Sequence, residues 1–302
     1  MKKLLTFFFL LTLFSCGREF EPELKGKQAY VVPARPLIHL NMDGREKTIR
    51  LPVFENVKYR YAQWSKRNDE ILIIQITETE SCNDYQLISV DTTGTIMDTV
   101  YAAPPNVALN FKLAPNDSLL VLKTYHDDCE RSNDFHYTFY NRYLKQNLPD
   151  TVTVRNSRGL LLDESIWSPD SKKVILSDWA GSDVNAFVYD LTTKDSTYID
   201  QGTNFIWSPI ENDLVAYIKD YSIYTRNIST GEADLIYKGK RKKRVYNFRW
   251  DPKGEYLMVH YASYLLNIDA PMFQSTKIFY YSMKDKTESK VFFDNQRIET
   301  WK

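Results

Sequence analysis

The stretch Trp167-Ser168-Pro169-Asp170 decides the fold, because the same phrase returns twice in the second half of the chain. It recurs as Trp207-Ser208-Pro209 and as Trp250-Asp251-Pro252, and each copy leads through a short polar run into a burst of aliphatic residues. A phrase that returns at a spacing of roughly 40 residues indicates a repeat architecture. The sequence therefore predicts a fold built from copies of one supersecondary unit.

Weaker copies of the phrase extend the series in both directions. Trp64-Ser65-Lys66 precedes the aliphatic residues 71–74, and residues 111–115 precede the aliphatic residues 119–122. A solitary Trp301 fits the start of a sixth copy. We therefore expect five unit starts and one more at the very end of the chain.

Each unit reads as four short antiparallel strands. In the best copy, a strand ends at Trp167, a turn holds Pro169 where no ladder hydrogen bond is lost, and the next strand begins near Lys173. Two further strands follow, and the turn between them recurs at residues 91–94, 227–231 and 282–286. Aromatic residues make up 14% of the chain and also favour strands. Four-stranded units of this length are typical of the blades of a β-propeller.

The Trp-Ser-Pro-Asp phrase at this spacing resembles the repeats of the TolB-like, six-bladed propeller family. No Gly-His pair or closing Trp-Asp pair marks the units as WD40 repeats. The resemblance covers roughly residues 30–302, and it departs from the family pattern where Phe111 and Leu113 replace Trp and Ser. It implies an all-β fold of six four-stranded blades, in proteins that often serve as interaction platforms.

The two ends of the chain predict how such a ring would close. Three strand-like segments precede Trp64, at residues 29–32, 37–40 and 48–51, and they read as a blade without its first strand. Residues 298–301 could supply that strand and abolish the open sheet edges. We therefore predict a six-bladed propeller over residues 29–302.

The N-terminus reads as an export signal. Lys2 and Lys3 precede an apolar run, residues 4–14, that is too short to span a bilayer as a helix. The run ends in Ser15-Cys16, which resembles the lipobox of bacterial lipoproteins, in which the cysteine is lipidated. An ordinary signal peptide or a short membrane anchor is the alternative. We predict a signal peptide over residues 1–15, a lipidated tether over residues 16–28 and a location in the cell envelope.

Composition and motifs exclude several function classes. The chain has 39 basic and 39 acidic residues, so no global field would attract nucleic acid. It lacks Gly-x-Ser-x-Gly, His-Glu-x-x-His, Cys-x-x-Cys and a Gly-rich phosphate loop. No cofactor is predicted. A catalytic site assembled from several blades is not excluded by the absence of local motifs.

Acidic loops between second and third strands are the candidate binding face. They fall on the side of the propeller that also carries the connections between blades, and their oxygens could hold Ca²⁺ or hydrogen-bond a sugar or peptide. The alternative is that these loops are simply solvated. The candidate residues are Glu80, Asp84, Asp127, Asp128, Glu130, Asp178 and Asp183.

Two cysteines and two histidines accompany these loops. Cys82 lies 18 residues after Trp64 and Cys129 lies 18 after Phe111, so the cysteines occupy equivalent positions in neighbouring blades. They could form a disulfide in an exported protein, or they could be two free thiols. His126 and His136 flank the acidic segment and form a weak metal or catalytic constellation.

Two other segments share the predicted loop face. The basic run at residues 238–244 is either a solvated loop or a contact for an anionic lipid, glycan or acidic partner. Residues 264–273 form an apolar stretch that reads as the longest irregular insert, either a contact patch or a plug over the axis.

The sequence thus predicts a lipid-anchored envelope protein that binds a protein, peptide or glycan and is not an enzyme. The alternative is an envelope hydrolase or lyase with its site in the central funnel, which would require the acidic groups and His126 or His136 to converge on one pocket.

Overall fold

The strands of this chain are seen in a computed structural model, which is all-β. The structure describes residues 27–32, 35–42, 45–65, 69–80, 83–126, 135–154, 166–180, 183–240, 243–266, 271–288 and 292–293. Within each sheet, strands that follow one another in the chain pair antiparallel. They are β1 (Lys27–Val31), β2 (Leu37–Met42), β3 (Arg45–Arg50), β4 (Val57–Trp64), β5 (Ile71–Glu78), β6 (Asn83–Val90), β7 (Ile96–Ala102), β8 (Val107–Leu113), β9 (Leu119–His126), β10 (Phe135–Asn141), β11 (Gln146–Val154), β12 (Lys173–Ala180), β13 (Asp183–Asp190), β14 (Ser196–Trp207), β15 (Leu214–Lys219), β16 (Ser222–Asn227), β17 (Ala233–Tyr237), β18 (Lys243–Trp250), β19 (Tyr256–Leu266), β20 (Pro271–Ser282) and β21 (Phe292–Phe293).

These strands group into successive units, which we number 1 to 6 in chain order. Unit 1 is β1–β3, unit 2 is β4–β7, unit 3 is β8–β11, unit 4 is β12–β14, unit 5 is β14–β17 and unit 6 is β18–β21. Units 2, 3, 5 and 6 are four-stranded blades in a propeller arrangement. Unit 4 shares β14 with unit 5, and an isolated bridge from Trp167 to Val174 stands where its first strand is predicted.

The core lies between the units. Along β5, Ile71 and Ile73 pack in a cluster with unit 1, while the alternate residues Leu72 and Ile74 pack with unit 3. A strand covered on both faces must be apolar at every position, which is why this stretch reads as a continuous hydrophobic run rather than an alternating one. The stacking of units thus explains the aliphatic burst that follows each Trp phrase.

In units 4 and 5 the Trp of the phrase joins the unit to the one before it. Trp167 Nε1 donates to the carbonyl oxygen of Lys112 at 3.2 Å, and Trp207 Nε1 donates to that of Ile166 at 2.7 Å. Ser168 Oγ accepts the backbone N–H of Lys173 at 2.9 Å and closes the turn. Both residue types therefore satisfy polar groups that would otherwise be buried without partners.

The second recurrent turn is stabilised by an Asp or Asn at the end of the third strand. Asp91 Oδ1 accepts the backbone N–H of Thr93 at 2.8 Å, and Asn227 Oδ1 accepts that of Ser229 at 3.0 Å. Asn141 and Asp190 do the same in units 3 and 4. Asx side chains mimic a backbone turn in this way, which explains their recurrence at this position.

Two loops predicted from the sequence are wrong in extent. β12 runs through Asp178 to Ala180 and pairs with β13 from Asp183 onward, so residues 178–180 and 183 are strand rather than loop. The predicted insert at residues 264–273 is mostly a hairpin extension, with Tyr264 opposite Phe273. Continued pairing satisfies backbone N–H and C=O groups that an irregular loop would leave to water. This gain favours strands in both stretches, although their composition predicted loops.

Candidate functional site

The predicted acidic face is only partly within the described residues. Glu80 lies exposed after β5, and Asp84 lies exposed at the start of β6, opposite Thr77. For Asp178 and Asp183 the structure describes the backbone alone. Asp127, Asp128, Glu130, Cys82, Cys129 and Cys16 lie outside the described residues. The acidic binding face, the Ca²⁺ site and the disulfide therefore stay predictions.

The predicted histidine pair is described only in part, and its convergence stays a prediction. His136 is half-buried on β10, and its carbonyl oxygen accepts a hydrogen bond from Thr124 Oγ1 at 3.4 Å. His126 ends β9, and only its backbone is described. Over the described ranges, no group of three or more His, Cys, Asp or Glu side chains could hold a metal ion.

A different site lies where the first strands of the units converge. Gln63 on β4 bridges to the backbone of Leu113 on β8, with Gln63 Oε1 accepting the Leu113 N–H at 3.0 Å. The Trp hydrogen bonds described above also join first strands. In a β-propeller the first strand of each blade is the one nearest the central axis. We call this region the centre.

Asparagine recurs at one position of the innermost strands. Asn110, Asn204 and Asn247 each stand three residues before the end of an innermost strand, and each is half-buried. Because β8 ends at Leu113 as β4 ends at Trp64, Leu113 takes the Trp position that the sequence assigned to Phe111. Asn204 Nδ2 donates to Asn247 Oδ1 at 3.1 Å and to the carbonyl oxygen of Phe248 at 3.2 Å, which joins unit 5 to unit 6. Equivalent residues of neighbouring blades thus place side-chain amides next to one another at the centre.

In unit 2 the same position holds Tyr61, whose backbone is strained. Its φ of 55° lies in the left-handed region, at a bulge between Arg60 and Ala62. A bulky residue there is an outlier and costs about 1–3 kcal/mol. The Tyr61 ring packs edge-on against Phe111, with centroids 5.4 Å apart, and Lys112 Nζ lies 4.8 Å from its centroid. A strained aromatic beside a cation is a candidate functional feature.

Unit 3 also contains a second buried cation. Lys123 on β9 lies opposite Asn110, and its Nζ is 5.8 Å from the ring centroid of Tyr137. Both lysine side chains are almost fully buried. Burial lowers the pKa of Lys123 to about 8, because desolvation disfavours the ammonium form. The centre near unit 3 therefore combines amide groups, aromatic rings and buried amines.

Sequence reasoning missed this site, although part of it had a signal. Asn-Phe precedes the repeat Trp or Leu in three units, at residues 110–111, 204–205 and 247–248. A polar residue repeated at a fixed distance from a buried aromatic indicates a second ring of equivalent positions. Tyr61 and the two lysines break that repeat, so no periodicity could reveal them.

Comparison with known proteins supports the fold and goes no further. No family model matches the sequence, and no curated protein is significantly similar to it. Among solved structures, TolB from Acinetobacter baumannii is similar with a TM-score of 0.52 and 14% identity over 91% of this chain and 65% of that one. The chain thus spans less than two thirds of the TolB structure.

Two other similar structures bear the names of enzymes. A putative dipeptidyl aminopeptidase IV from Bacteroides ovatus has a TM-score of 0.58 and 11% identity over 89% of this chain and 46% of that one. An oligogalacturonate lyase from Vibrio parahaemolyticus has a TM-score of 0.55 and 11% identity over 88% and 72%. The structural similarity supports a shared propeller scaffold, and identities this low support nothing beyond the fold. In the part of the chain that the structure describes, no helix is long and apolar enough to cross a membrane.

Proposed function

We propose that the chain is an envelope lipoprotein whose propeller binds a protein, peptide or glycan at its centre without acting on it as an enzyme. The carrying observation is the hydrogen bond between Asn204 and Asn247, which sets side-chain amides of two blades side by side. Amides donate and accept hydrogen bonds but do not titrate near neutral pH, so they suit recognition better than proton transfer. Similarity to TolB structures supports the same scaffold.

A closed ring of six blades is part of the proposal. Unit 1 has three strands, and residues 298–301 would supply its first strand and close the ring. Deleting residues 298–302 should then lower the melting temperature of the full chain, because two sheet edges would be left open. A deletion variant with the melting temperature of the wild type would contradict closure of the ring.

Lipidation of Cys16 would anchor the protein in the membrane of the cell envelope. Cells fed labelled palmitate should label the wild-type chain but not a Cys16→Ala variant, which should also leave the membrane fraction. If the variant still carries the label, the anchor is elsewhere.

Binding at the centre can be tested with two matched variants. The wild-type chain is cross-linked in envelope membranes, and the bound protein, peptide or glycan is identified by mass spectrometry. Asn247→Leu removes an amide at nearly constant volume and should abolish that adduct, while Lys284→Gln, on an exposed turn of unit 6, should retain it. Adducts that survive Asn247→Leu would contradict binding at the centre.

The same preparation distinguishes binding from catalysis. The identified ligand, incubated with the wild-type chain, should be recovered intact. Cleavage products that the wild type forms, and that an Asn247→Leu chain does not, would instead establish the alternative of an envelope hydrolase or lyase.

A further inference from the structure

The hairpin between β15 and β16 displays a strained, exposed tyrosine. Lys219 pairs with Ser222, so the loop contains only Asp220 and Tyr221, with φ values of 49° and 60°. Two-residue hairpins with positive φ at both positions favour Asn-Gly, because glycine has no Cβ to clash. Tyrosine at the second position costs about 1–3 kcal/mol relative to a relaxed backbone.

Packing within the chain does not explain this tyrosine. Tyr221 is 45% exposed, and the Arg244 guanidinium lies 4.7 Å from its ring centroid. A stacked cation leaves much of the ring in water, so burial does not offset the backbone strain. A strained residue that the scaffold does not require is a candidate for contact with something outside the chain.

The hairpin is held in place by the connection that leads to unit 6. The backbone N–H of Gly239 donates to Ser222 Oγ at 3.0 Å. A Cβ at Gly239 would clash with the carbonyl oxygen of Tyr221, so the two backbones are in direct contact. The tyrosine is therefore presented on a fixed support, which limits the entropy lost on binding.

Basic residues and a second exposed tyrosine lie next to this support along the chain. Lys238 and Lys240 are exposed on the connection, and Tyr246, two residues beyond Arg244 on β18, is 46% exposed. Asp220 is the one acidic residue of the hairpin itself. We call these residues the Tyr221 surface: Tyr221, Lys238, Lys240, Arg244 and Tyr246.

We propose that the Tyr221 surface docks an acidic polypeptide segment. Both residues of the hairpin tip are exposed, and small ligands prefer concave sites, so a macromolecular partner fits better. Tyrosine and arginine are the residue types that dominate protein interfaces, and the lysines select for negative charge. The inference goes beyond the proposed function, because the Tyr221 surface is separate from the centre.

The test measures binding of a fluorescein-labelled oligoglutamate peptide to the full chain in detergent. Tyr221→Gly should weaken the affinity by about tenfold or more, as loss of an interface anchor does. Glycine accepts positive φ, so the same variant should melt at the wild-type temperature or above it. Arg244→Gln should weaken binding similarly, and Lys284→Gln/Lys286→Gln, which removes two exposed lysines from a turn between the third and fourth strands, should not.

Three results would overturn the proposal. The wild-type chain could fail to bind oligoglutamate, or Tyr221→Gly could bind it as tightly as wild type does. Polygalacturonate or phosphatidylglycerol vesicles could bind more tightly than oligoglutamate with the same dependence on Tyr221, which would assign the surface to another partner class. Asn247→Leu should leave oligoglutamate binding intact, so loss of central binding and loss of this surface are distinguishable.

Discussion

Replacing Arg142 by leucine should destabilise the junction of units 2 and 3. Arg142 Nη2 forms an ion pair with Glu70 and lies 3.6 Å from Asp117 Oδ2, and the side chains are 4%, 11% and 0% exposed. Asp117 also accepts hydrogen bonds from Ser65 Oγ at 2.6 Å and Tyr143 OH at 3.2 Å. Arginine is thus the shared cation of two buried carboxylates.

Removing one partner of a buried ion pair costs about 3–5 kcal/mol, because the opposite charge stays buried. For a domain of this size each kcal/mol lowers the melting temperature by about 2–4 °C, so a fall on the order of 10 °C is expected. Loss of the contact between Arg142 and Asp117 alone would lower the melting temperature by less, because Asp117 keeps its hydrogen bonds from Ser65 and Tyr143.

Urea unfolding followed by tryptophan fluorescence measures the loss. Lys145→Gln is the matched control, because it breaks a nearby exposed pair with Asp98 and should leave the midpoint unchanged. A combined Glu70→Gln, Asp117→Ser and Arg142→Leu chain should regain most of the stability, since no buried charge is left unpaired. An Arg142→Leu chain with the wild-type midpoint would refute the reasoning.

Two further changes have defined outcomes. Burial lowers the pKa of Lys123 to about 8, so the folded chain loses this proton before the unfolded chain does. Lys123 should therefore add about 2 kcal/mol to the free energy of unfolding between about pH 8 and 10. Buried tyrosines such as Tyr237, whose pKa burial raises, lower stability near pH 10 in both chains, so the measurement is the difference between wild type and Lys123→Met in pH-dependent urea titrations, which should grow by that amount. Gly239→Ala should lower the calorimetric melting temperature, because its Cβ clashes with the Tyr221 carbonyl; an unchanged value would contradict the close approach.

The repeat was predictable because its determinants are local. The Trp and Ser of the phrase satisfy buried polar groups at fixed offsets, and an Asx residue closes the next turn, so each leaves a periodic mark. The hairpin at Asp220 and Tyr221 left none, because tyrosine stands where that turn prefers glycine. The extended pairing of β12 with β13 was missed for a related reason: polar composition suggested a loop where backbone pairing continues.

The Arg142 cluster could not be predicted, because its members are far apart in sequence and meet only when two units stack. Arg142 lies 72 residues from Glu70, and Asp117 lies 52 from Ser65. At the position of Arg142, directly after the Asx residue, other units carry Thr92, Leu191 and Ile228. From the sequence alone, an arginine at this turn position predicts only a solvent-exposed charge.

Departures from the repeat therefore carry the information about this protein that the repeat itself does not. Buried charge and positive-φ tyrosines both lower stability, and the neighbouring units show that this scaffold can be built without them. Proteins tolerate such costs while they remain above the stability that folding requires. Tyr61 at the centre and Tyr221 on the hairpin are the two aromatic residues among the described positive-φ positions. Tyr61 lies beside a buried lysine and Tyr221 beside a half-buried arginine, so the strain coincides with cationic, aromatic surfaces suited to recognition.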